Sequence, residues 1–149
     1  MLKDRRSSAA PADSFVAHCF YRCLDSCITL IYWAWFIFGF LLFFSWRYLA
    51  AALFAHDPEI VFQRLNSRFF QIFLRIIRVT APGQDIAIDE EVAVIRSSVI
   101  VCNHLSYLDP LLLISLFSRH RTIVKARFFA MPIFGRIITQ SGYLPASGE

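Results

Sequence analysis

The run from Ile28 to Trp46 contains no charged side chain, and it limits every fold open to this chain. At about 1.5 Å per residue it would reach roughly 28 Å as a helix, close to the hydrocarbon thickness of a bilayer, about 30 Å. Trp33, Trp35, Trp46 and Tyr48 stand toward its two ends, where interfacial aromatics collect. A cleaved signal peptide would have a shorter apolar part and a small-residue cleavage site after it. The segment is therefore expected to stay in the protein and in a membrane. Lys3, Arg5, Arg6 and Arg22 precede it and Arg47 and Arg64 follow, which by the positive-inside rule puts the N-terminus in the cytoplasm. The apolar character continues from Tyr48 to Phe54, so a helical hairpin that dips and returns, with Gly39 near its turn, is the alternative to a single crossing. The sequence leaves that choice open.

Composition agrees with a membrane protein. Hydrophobic residues make up 57% of the 149 and charged residues 17%, with sixteen Phe, and the apolar excess is concentrated before residue 80. The net charge of +4 suits an anionic partner. Arginine outnumbers lysine heavily, and its planar fork matches carboxylate and phosphate. No basic run long enough for nucleic acid is present, and the arginines sit among Phe, Leu and Ile, so anionic lipid is the expected partner. Cys19, Cys23 and Cys27 fall at helical spacing on one face, without the C-x-x-C spacing of zinc sites. They read as small apolar residues in a reducing compartment, and no metal is expected.

Four regions follow. Residues 1–13 are polar and expected to be disordered, and 14–56 form the membrane-embedded helical segment. Residues 57–79 form an amphipathic basic interfacial helix, and 80–149 have the texture of an α/β domain. Asp57-Pro58-Glu59 is a strong helix start. The helix runs to about Arg78, with Arg64, Arg68, Arg75 and Arg78 on one face and Phe62, Leu65, Phe69, Ile72, Phe73 and Ile76 around the rest. That pattern fits a helix in the headgroup plane or a core helix with a solvated arginine face. Beyond Gly83, strands are expected at Ile86–Ile88, Val92–Ile95, Ser98–Cys102 and Thr122–Lys125. A helix is expected from Asp109 to about Phe117 and another from Phe128 to Ser141, and Gly142-Tyr143-Leu144 starts a last strand. This order predicts a mixed or parallel sheet with flanking helices.

Chemistry concentrates where the Val99–Cys102 strand meets the Asp109 helix, since catalytic groups gather at the C-terminal ends of strands in such sheets. Asp109, five residues after His104, could accept a hydrogen bond from the imidazole Nδ1 and leave Nε2 as a base. Each residue also has a plainer role: Asp109 before Pro110 is a helix cap, His104 a polar loop residue, and Ser106 a turn or cap residue.

The stretch Val101-Cys102-Asn103-His104-Leu105-Ser106-Tyr107-Leu108-Asp109-Pro110-Leu111-Leu112-Leu113 resembles the first motif of the glycerolipid acyltransferases, N-H-x-x-x-x-D after a buried strand. Val124-Lys125-Ala126-Arg127-Phe128-Phe129-Ala130-Met131-Pro132-Ile133-Phe134-Gly135 resembles that family's lysine-containing segment, and Gly142-Tyr143-Leu144-Pro145 the start of its second block. The resemblance covers roughly residues 78–149. It implies an N-terminal membrane helix or hairpin followed by the first half of a mixed-sheet α/β acyltransferase domain. It further implies that His104 deprotonates a lysophospholipid hydroxyl, most plausibly that of 1-acylglycerol-3-phosphate, while Asp109 orients it. The donor would be acyl-CoA or an acyl carrier protein, with no acyl-enzyme and no further cofactor. Asn103, Lys125 and Arg127 are the expected substrate-binding residues, and the work would be done at the cytoplasmic face of a membrane.

The departures from the family are specific. Arg127 stands where the family commonly has Glu, and the arginine of the second block would fall near Gly148. The third block, E-G-T-R, does not occur before Glu149. The chain is therefore expected to be the front part of a longer enzyme and inactive alone. Acylation of another lyso-lipid, or a non-catalytic membrane protein of the same fold, are the other readings.

Overall fold

The computed structural model describes residues 11–81, 83, 87–103 and 106–146. Most of the expected disordered N-terminus lies outside them. Its last residues belong to a helix, which starts at Pro11 rather than near Phe15.

Helix α1 (Pro11–Ala34) runs without a break through a π-helical stretch (Trp35–Phe44) into α2 (Ser45–Phe54). No proline or charge interrupts this run near Gly39, and the chain does not turn there. The π-helical stretch instead lays the Trp35 indole over Gly39, where an added Cβ would lie 2.7 Å from a ring carbon. Reversal comes later, at Ala55–Asp57, after which α3 (Pro58–Thr80) returns along the first helix. Pro58 at the first position and Glu59 in the first turn start α3 as the sequence predicts.

An aromatic ladder holds the two helices together. Tyr32 hydrogen-bonds Thr80 at 2.9 Å, Phe36 meets Phe73 edge-on at 4.8 Å, Trp35 stacks on Phe69, and Tyr48 packs on Phe62. Partners late in α3 match partners early in the first helix, so the pair is antiparallel. Such ring contacts add roughly 0.5–1.5 kcal/mol each beyond the area they bury. The other side of the first helix carries Leu30, Trp33, Phe38, Leu42, Trp46 and Phe54, all exposed. Ala17–Phe54 is long and apolar enough to cross a membrane, and only 11% of its most apolar window is buried.

Helix α3 has a second buried face, and this one is polar. Gln63, Asn66 and Ser67 are buried beside Phe62, Leu65 and Phe69. They meet the C-terminal part of the chain, while Arg64, Arg68, Arg75 and Arg78 stay exposed along the remaining edge. Asn66 is the hub. Its Oδ1 accepts from the Tyr48 hydroxyl at 2.6 Å, and its amide donates to Ser141 Oγ at 2.9 Å and Tyr143 Oη at 3.1 Å. Gln63 donates to the Ser141 carbonyl at 2.9 Å.

Past α3 the described chain is mostly helical, and the α/β expectation holds only in part. Val92–Val94, expected as strand, lies in a 3-10 turn (Glu90–Val94) whose start is capped by Asp89. The acidic run Asp89-Glu90-Glu91 thus works as a helix start and overrides the β-branched residues behind it. Ser98–Cys102 has no strand partner among the described residues, and Val99 and Val101 are 93% and 89% exposed. Its alternation favours extended backbone, but a strand also needs a neighbour to pair with. Ile86 lies outside the described residues, and Ile88 is in no strand.

Helix α4 (Leu108–Leu116) follows the expected position closely. The helix expected over Phe128–Ser141 is divided. A 3-10 turn covers Ala126–Ala130, Pro132 falls in the break, and α5 spans Phe134–Gln140. β1 (Ile123–Val124) and β2 (Leu144–Pro145) pair in parallel, Ile123 opposite Leu144, with α5 in the crossover that parallel strands require. Gly142, at φ 68°, ends α5 in a Schellman turn: Tyr143 N–H donates to Ile138 O and Gly142 N–H to Thr139 O.

Replacing the hub tests this arrangement. Asn66→Ala strands the buried Tyr48 hydroxyl and should cost about 2–4 kcal/mol in chemical unfolding in detergent. Arg68→Ala, on the exposed edge, should change stability by less than about 0.5 kcal/mol.

Candidate functional site

The start of α4 is built by two reciprocal contacts. Ser106 Oγ accepts the Leu108 N–H at 3.1 Å, and Asp109 Oδ2 accepts the Ser106 N–H at 2.7 Å. This is a capping box, with Asp in the place of the usual Glu or Gln, and it satisfies donors that a helix start leaves unpaired. Asp109 also lies at the positive end of the helix dipole, which favours its carboxylate. The plainer roles of Ser106 and Asp109, as cap residues, are therefore real. They do not compete with chemistry, because a carboxylate has further lone pairs after accepting one amide. Asp109 makes at least one further contact beyond the Ser106 amide.

The other expected site residues are distributed. Asn103 is exposed in the extended stretch before α4. His104 lies outside the described residues. Lys125 and Arg127 are exposed on the connection between β1 and α5, on a different element from Asp109. Lys125 receives the Phe128 N–H on its carbonyl at 3.0 Å, and the Arg127 guanidinium lies 5.2 Å from the Phe128 ring centre. Gly135 has a plain structural reason: a Cβ there would overlap the carbonyl of Phe129. The Pro132–Gly135 run thus lets α5 start against the 3-10 turn that carries Arg127. Among the described residues, no group of three His, Cys, Asp or Glu side chains is placed to hold a metal.

Sequence reasoning missed the polar cluster behind this site. His120 Nδ1 lies 2.7 Å from the Phe117 carbonyl, which only accepts, so Nδ1 carries the proton. Nε2 then accepts from the Tyr143 hydroxyl, which itself accepts from Asn66. The ring is neutral in this arrangement. Burial pushes the His120 imidazole below its ordinary value, opposed by the Phe117 hydrogen bond. Burial likewise pushes the Tyr143 phenol up to about 12, against the Asn66 contact. The signal in the sequence was Gln63, Asn66, Ser67 and Gln71: uncharged polar residues at helical spacing, on a face separate from the arginines. Nearby, Arg121 bridges to Glu59 at 2.7 Å, and Glu59 also accepts from Gln63.

Comparison with known proteins places the chemistry. Residues 85–148 match the family model described as Acyltransferase. No curated protein and no solved structure matches the chain. The matched segment includes the α4 start, Lys125, Arg127 and Tyr143.

Two outcomes follow from this geometry. Because the folded state holds His120 neutral and lowers its pKa, the unfolded chain takes up the proton first on acidification. The stability from His120 should be fully present above the ordinary His value of about 6.5 and be lost as pH falls below it. Unfolding measured between pH 7.5 and 5.5 should show that slope in wild type and a weaker one in His120→Asn. Gly135→Ala, forced against backbone, should cost several kcal/mol and lower the melting temperature sharply.

Proposed function

We propose that this chain, whose residues 85–148 belong to the acyltransferase family, moves an acyl chain from a thioester donor to the hydroxyl of a lysophospholipid at a membrane surface. The observation that supports this reading best is the position of Asp109 inside the matched segment. It is in the first turn of α4, one carboxylate oxygen fixed to the backbone of Ser106, five residues after His104 in sequence. A carboxylate so fixed is a suitable partner for an imidazole Nδ1–H.

In the proposed reaction His104 Nε2 removes the proton from the lyso-lipid hydroxyl as its oxygen attacks the thioester carbonyl. Asp109 holds the ring tautomer and stabilises the imidazolium. The tetrahedral intermediate collapses, the C–S bond breaks, and the imidazolium returns its proton to the leaving thiolate. The balance is one ester formed and one thioester consumed, with acyl-CoA or an acyl carrier protein as donor and no cofactor. Asn103, Lys125 and Arg127 are the proposed substrate-binding residues. The two cations suit a phosphate monoester, so 1-acylglycerol-3-phosphate is the proposed acceptor and phosphatidate the product. The exposed apolar side of Ala17–Phe54 supports a membrane-bound enzyme. We place the site at the cytoplasmic face on the distribution of Lys3, Arg5, Arg6 and Arg22.

Asparagine at 109 can still accept the Ser106 N–H, so Asp109→Asn removes the charge while keeping the cap. Its kcat should fall by about a hundredfold or more. Ser106→Ala, which weakens the cap, should cost about 1 kcal/mol of stability and little turnover. Asp109→Asn at wild-type rate would reduce Asp109 to a cap. With acceptors compared side by side, a phosphate monoester should be preferred over a neutral head group, and Arg127→Ala should raise its KM.

A further inference from the structure

Helix α4 has few means of fixing its own position. It is nine residues long and almost uniformly apolar, and Ser115 is its one buried residue. Its leucines are only half-buried against α3, and apolar contact is non-directional. The directional contacts are at its far end. The Ser115 carbonyl lies in the last turn, where a helix lacks its own amide partners. Two donors from α3 converge on it: Ser67 Oγ at 3.1 Å and Gln71 Nε2 at 2.7 Å. Gln71 also donates to Ser67 Oγ at 3.2 Å, so the pair acts as one clamp. Ser67 is 1% exposed and has no room to turn away. Ser115 Oγ bonds back to the Leu112 carbonyl at 2.7 Å, which ties the clamped end into the helix body.

We propose that Ser67 and Gln71 are positioning residues for acyl transfer: by clamping the Ser115 carbonyl they set where the opposite end of α4 presents Asp109. This rests on the role given to Asp109 above. Asp109 and Ser115 are six residues apart on one short helix, roughly 9 Å along its axis, so a slide or tilt at one end is carried to the other. The clamp stands on α3, whose other face holds the long apolar helix. The carboxylate is thereby registered to the membrane-facing part of the molecule rather than only to its own loop.

Gln71→Glu tests this with almost no change in shape. It removes the donor and sets a carboxylate against a carbonyl at the negative end of α4, whereas Gln71→Lys keeps an N–H donor and suits that end. In the full chain, Gln71→Glu should lower kcat about tenfold, with KM for the lyso-lipid within about twofold, since a small misplacement acts on the rate. Gln71→Lys should stay near wild type. Backbone amide exchange across residues 106–112, read by mass spectrometry in detergent, should quicken in Gln71→Glu and Ser67→Ala but not in Gln71→Lys. Unchanged exchange in Gln71→Glu, or a Gln71→Lys variant as impaired as Gln71→Glu, overturns the clamp. Full activity in Asp109→Asn would instead remove the acyl-transfer reading, and amide exchange would still decide whether the clamp sets the start of α4.

Discussion

The structure depends on one helix, α3, being buried on two chemically different faces. Toward α1 and α2 it presents Phe62, Phe69 and Phe73, and the aromatic ladder there is held by apolar contact. Toward the rest of the chain it presents Gln63, Asn66, Ser67 and Gln71, and that side is held by hydrogen bonds. Apolar contact tolerates sliding, and hydrogen bonds in a buried setting do not. The acyltransferase segment is therefore fixed to α3 by direction as well as by area.

Asn66 shows how closely the two sides are joined. Its carbonyl takes the proton of Tyr48 from the apolar helix, and its amide serves Ser141 and Tyr143 from the matched segment. The left-handed turn at Gly142 brings Tyr143 to this point, and Tyr143 in turn fixes the neutral tautomer of His120. Each buried polar group in the chain of contacts has a partner, so burial costs little and specificity is gained.

Much of this was legible in the sequence, and the failures have physical causes. Asp57-Pro58-Glu59 announced α3, Asp109-Pro110 announced α4, and Gly142 announced the end of α5, because caps and turns act within a few residues. The apolar run announced a long helix. The reversal was misplaced to Gly39 as one option, since a glycine permits a turn but does not require one, and Gly39 instead makes room for Trp35. Val92–Ile95 and Ser98–Cys102 looked like strands because β-branched alternation favours extended backbone. A strand depends on a partner far away in sequence, and local pattern does not carry that. Gln71 read as one more member of the arginine face, yet it turns inward to Ser115. For the site itself, the N-H-x-x-x-x-D spacing identified Asp109, and the structure adds that Ser106 and Asp109 cap each other.

The most direct measurement follows acyl transfer by the purified full chain and by His104→Ala in parallel, with thiol release and lipid product counted together. If His104 is the base, wild type should form product one for one with released thiol, and only when a lyso-lipid hydroxyl is present. The variant should lose at least about a hundredfold in rate. Equal product from wild type and His104→Ala would contradict the assignment.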